Sequence, residues 1–139
     1  MNEARSARPE RRVPALVVMH EDLAAAAVAA VAAVYGESEG LTPLSNRGLS
    51  RETLQAAIDE NVAAWDAGGL VCVDFFGGSP HVAAACVART RDIVVVTGCH
   101  LGMLLDYMHH RDSLDRDALA ERLVRRGRDT MQIVRGGPA

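Results

Sequence analysis

The chain has 139 residues, enough for one domain with a sizeable core, and at 49% hydrophobic and 24% charged it is globular rather than disordered. Its net charge of −3 supplies no broad positive field toward nucleic acid or an anionic membrane. All fifteen basic residues are arginine, which excludes a Schiff-base lysine and the lysine of ordinary P-loop nucleotide hydrolases.

Residues 1–12 carry four arginines and no apolar pattern, and read as a mobile polar arm. The apolar run behind it is cut by His20-Glu21-Asp22 before reaching the length of an export signal. From residue 13 onward, short apolar runs alternate with helical patterns, the signature of βαβ units and a parallel sheet. Residues 13–19 suit a buried strand, and the alanine-rich stretch 21–35 suits a helix that packs closely on it. Residues 41–44 form a short second strand, whose Pro43 places it at a sheet edge. Ser50 caps a helix over 51–66, with Leu54, Ala57, Ile58, Val62 and Trp65 on one face. Strand 70–73 follows, then Ser79-Pro80 as a helix start over residues extending to about 89. Residues 93–97 give a β-branched fourth strand. Short helix 101–110, a helix opened by Ser113 and reaching about 126, and a fifth strand at 130–134 complete a domain over 13–134, with 135–139 as a tail.

In an open parallel sheet, ligands sit outside the carboxyl ends of the strands. His20 follows the first strand, Asp74 the third, and Thr97-Gly98 the fourth. With the third strand beside the first, His20 and Asp74 share a crevice, and Gly77, Gly78 and Ser79 offer backbone N–H groups at a helix N-terminus. An imidazole, a carboxylate that fixes its tautomer and an anion cradle are the parts needed to accept a phosphoryl group on nitrogen. Each residue alone has a plainer reading. A histidine after a strand is most often a loop residue, Asp74 can cap a turn, and the glycines can serve only the turn. Their joint placement at strand ends carries the functional reading.

The first-strand histidine, the block VDFFGGSP before an alanine-rich helix, and the run VVVTGCHLGMLLD together resemble the enzyme IIA component (EIIA type-4) of the mannose/fructose-type bacterial sugar phosphotransferase system. The resemblance covers residues 13–134. It implies an α/β fold, an open doubly wound sheet of four parallel strands in the order 2-1-3-4, with a C-terminal antiparallel strand exchanged in a homodimer. It also implies that His20 is the phosphorylated residue, Asp74 its orienter, and Gly77, Gly78 and Ser79 the phosphate-binding turn. The partners it implies are the phosphocarrier HPr as donor and a IIB component as acceptor. Three features depart from the family. Glu21 stands where glycine is usual, Phe75 replaces a threonine, and His100 and Gly102 replace an asparagine and a proline. With Thr97, the residues Glu21, Phe75 and His100 form the expected surroundings of the site.

No cofactor is expected. Three N/O ligands at His20, Asp74 and His100 would suffice for zinc, but the reading is that the site holds no metal. His109 and His110 are adjacent on a helix, about 100° apart, and read as surface residues. Cys72, Cys86 and Cys99 show no zinc spacing, and an odd number of cysteines fits a reducing compartment. A cytoplasmic phosphotransferase with neither nucleic-acid binding nor membrane insertion is therefore expected. The alternative is a regulatory binding protein whose partner depends on the phosphorylation state of His20.

Overall fold

The computed structural model describes residues 12–138. Its strands are β1 (Ala15–Met19), β2 (Leu41–Ser45), β3 (Gly69–Val73) and β4 (Ile93–Val96). Its helices among the described residues are α1 (Leu23–Tyr35), α2 (Arg51–Val62), α3 (Ser79–Val87), α4 (Leu101–His110) and α5 (Arg116–Asp129). The strands form one parallel sheet in the order β2-β1-β3-β4. Pro43, which has no N–H to donate, lies in the edge strand β2, where that loss is tolerated.

Every residue of β1 and β3 is buried, because helices cover both faces of the sheet. Successive side chains alternate between the faces. Ala15, Val17, Met19, Leu70 and Cys72 pack with α1, α4 and α5. Leu16, Val18, Val71 and Val73 pack with Leu54, Ile58 and Val62 of α2 and Ala83, Ala84 and Val87 of α3. The chain leaves β1 toward β2 on one side and later returns through β3 on the other. The switch point of the sheet therefore lies between β1 and β3, the place where open sheets of this kind bind ligands at the carboxyl ends of their strands.

Several boundaries differ from the sequence expectation. Asp115, not Ser113, caps α5, its carboxylate accepting from the Ala118 N–H at 2.8 Å. Gly78 occupies the N-cap of α3, so Ser79 is already helical. The helix after Ser50 stops at Val62, four residues before the expected end at 66, and a turn through Trp65 leads into Gly68 at φ +77°. The strand expected at 130–134 is absent from the single chain: α5 runs on to Asp129, Thr130 caps it, and residues 131–138 form neither helix nor strand.

Of the arm expected over 1–12, only Arg12 falls among the described residues, and the remainder lies outside them. Arg12 grips Asp112 through two bonds of 2.8 and 3.0 Å. That contact holds the Asp112 carboxyl below its ordinary range. No helix among the described residues is long and apolar enough to cross a membrane.

Tyr107 links the amino end of β1 to the turn before β2. Its buried hydroxyl lies 2.5 Å from the Val13 carbonyl and 3.2 Å from that of Gly40. Burial pushes its ionisation well above the ordinary tyrosine value. Tyr107→Phe deprives these carbonyls of the hydroxyl donor, and the expected loss is about 1–2 kcal/mol, read from the urea midpoint at unchanged slope.

Candidate functional site

Parallel pairing of Val18 with Val73 brings the next turns of chain, at His20 and Asp74, to the same end of the sheet. Asp74 Oδ2 accepts from the His20 backbone N–H at 2.9 Å and lies 2.8 Å from His20 Nδ1. An ionised carboxylate only accepts, so the ring proton sits on Nδ1 and the Nε2 lone pair is free. Asp74 Oδ1 accepts from the Phe75 N–H at 3.1 Å. The carboxylate is thus almost enclosed, 10% exposed, whereas the imidazole is 36% exposed and reachable by a partner.

Gly78 is the floor of the site. A Cβ at this position would lie 3.0 Å from His20 Cε1 and 2.8 Å from Phe75 Cζ, so only glycine lets both rings approach the start of α3. Cε1 adjoins Nε2, and a group carried on Nε2 would stand near the N-terminus of that helix. Among the described residues the N–H groups of Gly78, Ser79 and His81 meet no backbone or side-chain acceptor. They and the helix dipole suit an anion. The Gly77 N–H is already used: it donates to His81 Nδ1 at 2.9 Å. His81 in turn packs against Phe76, with ring centroids 4.5 Å apart.

The loop after β2 supplies a set of residues that the motif reading passed over. Asn46 Oδ1 accepts from the Glu21 N–H at 3.1 Å, and its amide donates to Ser79 Oγ at 3.1 Å. Ser45 Oγ donates to the Glu21 carbonyl at 2.6 Å. These bonds hold Glu21 at φ +51°, a left-handed conformation that glycine adopts without strain and glutamate does not. Arg47 bonds Glu21 at 2.8 Å and Asp22 at 2.9 Å. The negative charge that Glu21 brings to the site is therefore matched locally. Applied to the second strand as it was to the others, the strand-end rule points to Ser45, Asn46 and Arg47. No motif marks them.

The other expected neighbours divide. Phe75 stacks on His20, with centroids 5.1 Å apart and planes inclined by 19°. Thr97 is half-buried just beyond β4. His100 turns away from His20: its Nε2 lies 3.3 Å from the Gly127 carbonyl on α5. Among the described residues no three His, Cys, Asp or Glu side chains are grouped to hold a metal ion. Cys99 is buried behind the site, and neighbouring Cys72 together with burial pushes its thiol well up, away from the reactive thiolate.

Comparison with known proteins bears on the fold and the family. A search of curated protein sequences finds no match. Solved structures of the same fold include the phosphotransferase system component EIIA of Streptococcus agalactiae (TM-score 0.81, 18% identity, covering 87% of this chain and 96% of that one). The mannose/sorbose specific IIA subunit of Enterococcus faecalis aligns with TM-score 0.79 and 19% identity, over 92% of this chain and 98% of that one. The PTS IIA protein associated with the fucose utilization operon of Streptococcus pneumoniae aligns at 0.75 and 19%, over 88% and 93%. At these identities the structures speak for the fold alone. The sequence itself matches the EIIA-man family model, described as the PTS system fructose IIA component, over residues 15–124. With a switch-point histidine, a parallel 2-1-3-4 sheet and a family match over most of its length, the chain belongs to the mannose/fructose-type EIIA family of the phosphotransferase system.

Proposed function

We propose that this protein is a phosphohistidine relay, with His20 accepting a phosphoryl group from phospho-HPr and passing it to a IIB component. The observation that carries the reading is the pair of hydrogen bonds that Asp74 Oδ2 accepts from the backbone and ring of His20, which leaves Nε2 as the nucleophile. In the forward step the Nε2 lone pair forms a P–N bond as the donor's P–N bond breaks, its electron pair returning to the donor imidazole. The Nδ1 proton stays in place. The His20 ring thereby becomes an imidazolium carrying a dianionic phosphoryl group, and the Asp74 carboxylate beside Nδ1 stabilises the ring's positive charge. The N–H groups of Gly78 and Ser79, with the Ser79 hydroxyl, face the phosphoryl oxygens. Ser79 Oγ accepts from Asn46, so its own proton remains available to a ligand. The step needs no metal as Lewis acid and no cofactor, and its place is the cytoplasm.

A homodimer belongs to the same proposal. Met131, Ile133 and Val134 are 67%, 80% and 91% exposed just beyond α5. A groove of about 570 Å³ runs between the free edge of β4 and α5, its apolar part formed by Val94, Val95, Val96, Ala120 and Val124 and the rest by Glu121, Arg125, Arg128 and Asp129. An apolar strand from a second copy fits that edge.

One observation favours the regulatory alternative. Leu23, Leu49, Phe75, Phe76 and Leu101 are exposed, and each lies in a segment that follows the carboxyl end of a strand. An apolar rim around a residue that gains a dianion would change its preferred partner on phosphorylation.

Intact-mass measurement with phosphoenolpyruvate, enzyme I and HPr tests the relay. An acid-labile gain of one phosphoryl group is expected in wild type, none in His20→Ala, and a rate lower by at least tenfold in Asp74→Asn, where the tautomer is no longer enforced. Full phosphorylation of His20→Ala at another residue would sink the assignment. Labelled protein that hands its group to no IIB, yet binds a regulator in one state only, selects the alternative.

Arg47→Ala leaves two carboxylates unmatched beside an anion site. Acceptance from the anionic donor should slow severalfold at low salt, and the deficit should shrink as ionic strength rises toward 0.5 M, measured by quenched-flow. Truncation after Thr130 should convert a dimer to a monomer in sedimentation equilibrium with α/β content retained. A truncated chain that still dimerises would exclude strand exchange.

A further inference from the structure

The geometry points to Phe75 as a positioning residue that pins the His20 imidazole against the start of α3 and prolongs the life of its phosphorylated form. The inference rests on the relay reading of His20 and goes beyond it.

An imidazole turns about its Cβ–Cγ bond over a broad, roughly two-fold potential, so one hydrogen bond to Asp74 restrains it incompletely. Phe75 adds a second restraint of a different kind. Its ring lies nearly parallel to the imidazole, 5.1 Å between centroids and 19° between planes. Turning His20 would break that contact as well as the bond to Asp74. The stack has a floor, because a Cβ at Gly78 would fall within 3.0 Å of both rings. Phe75 is held in turn, its N–H donating to the second oxygen of the carboxylate that binds His20. Asp74, Phe75, His20 and Gly78 therefore form a closed unit in which each part limits the others.

Phe75 is 51% exposed, so about half of its surface packs against the protein and its contact with the imidazole is a large share of that packing. Its value is greatest after transfer. With a proton on Nδ1 the ring of phosphohistidine is positive although the phosphoryl group it carries is anionic, and an aromatic face beside the ring stabilises that positive charge. The same ring covers one side of the imidazole, so water reaches the P–N bond from fewer directions. Hydrolysis breaks that bond and releases inorganic phosphate with no transfer made; the covered ring slows this loss.

The test uses the full chain, phosphorylated by phosphoramidate, a small donor that needs no protein partner. Wild type, Phe75→Leu and Phe75→Tyr are compared. In the unmodified proteins, the ring-current shift of the His20 Cε1 proton should be present in wild type and Tyr and lost in Leu. In the phosphorylated proteins, the half-life of phosphohistidine should fall about two- to tenfold in Leu, the equivalent of one aromatic pair, and return in Tyr. A merely structural role for Phe75 would move the urea midpoint and leave the half-life of the folded protein unchanged. Equal half-lives in wild type and Leu, a failure of Tyr to restore them, or no phosphohistidine at His20 would each overturn the inference. Phosphorylation by phosphoramidate but not by phospho-HPr would defeat the relay reading while leaving the role of Phe75 intact.

Discussion

The carboxylate of Asp74 holds the site together. Its Oδ2 binds the His20 backbone and ring, and its Oδ1 binds the N–H of Phe75. The loops beyond β1 and β3 are thereby tied across the switch point, and the imidazole acquires one tautomer and one direction. The constraint depends on register. Val18 faces Val73 in the parallel ladder, and a slip of one residue would turn every buried side chain of β1 to the opposite face. Because both faces of β1 pack against helices, such a slip would disturb both core layers at once, and the core that fixes the fold also fixes the distance between His20 and Asp74.

In the proposed relay, this chain without lysine takes its anion site from main-chain dipoles, and the charged groups nearby serve a different purpose. Glu21 and Asp22 stand directly after His20, where on that reading negative charge opposes an incoming phosphoryl group. Arg47 matches both. All three side chains are more than half exposed, so the pairing does little for stability, and its meaning lies in the local potential. Asn46 joins this loop to the other side of the crevice, touching Glu21 and Ser79 at once. The loops after β1, β2 and β3 thus act as one surface, although each follows a different strand.

Much of this was legible in the sequence, for identifiable reasons. Burial on two faces demands unbroken apolar runs, so β1 and β3 announce themselves, and the β-branched run Ile93–Val96 does the same for the half-buried β4. Leu54, Ile58 and Val62 repeat at helical spacing because one side of α2 meets the sheet. The histidine and aspartate were visible because strand ends are where such sheets bind ligands. What escaped was of another kind. Asn46 and Arg47 belong to no motif, and the positive φ at Glu21 cannot be read from a residue that normally avoids it. His81 takes the Gly77 N–H through a side chain four residues on, a contact that depends on the precise course of a turn. His100, adjacent in sequence to the site loop, swings to α5 instead.

The sequence by itself determined the alternation of strand and helix, the two candidate residues at strand ends and, through its resemblance to a family, the strand order. These follow from periodicity and residue type, which are local properties of a chain. Only the tertiary structure decided that Asp74 Oδ2 meets the backbone N–H and the Nδ1 of His20, that Phe75 stacks beside the imidazole, and that Arg47 answers Glu21 across 26 residues. Distances and directions between side chains far apart in sequence are set by how whole layers pack, and no local pattern encodes them.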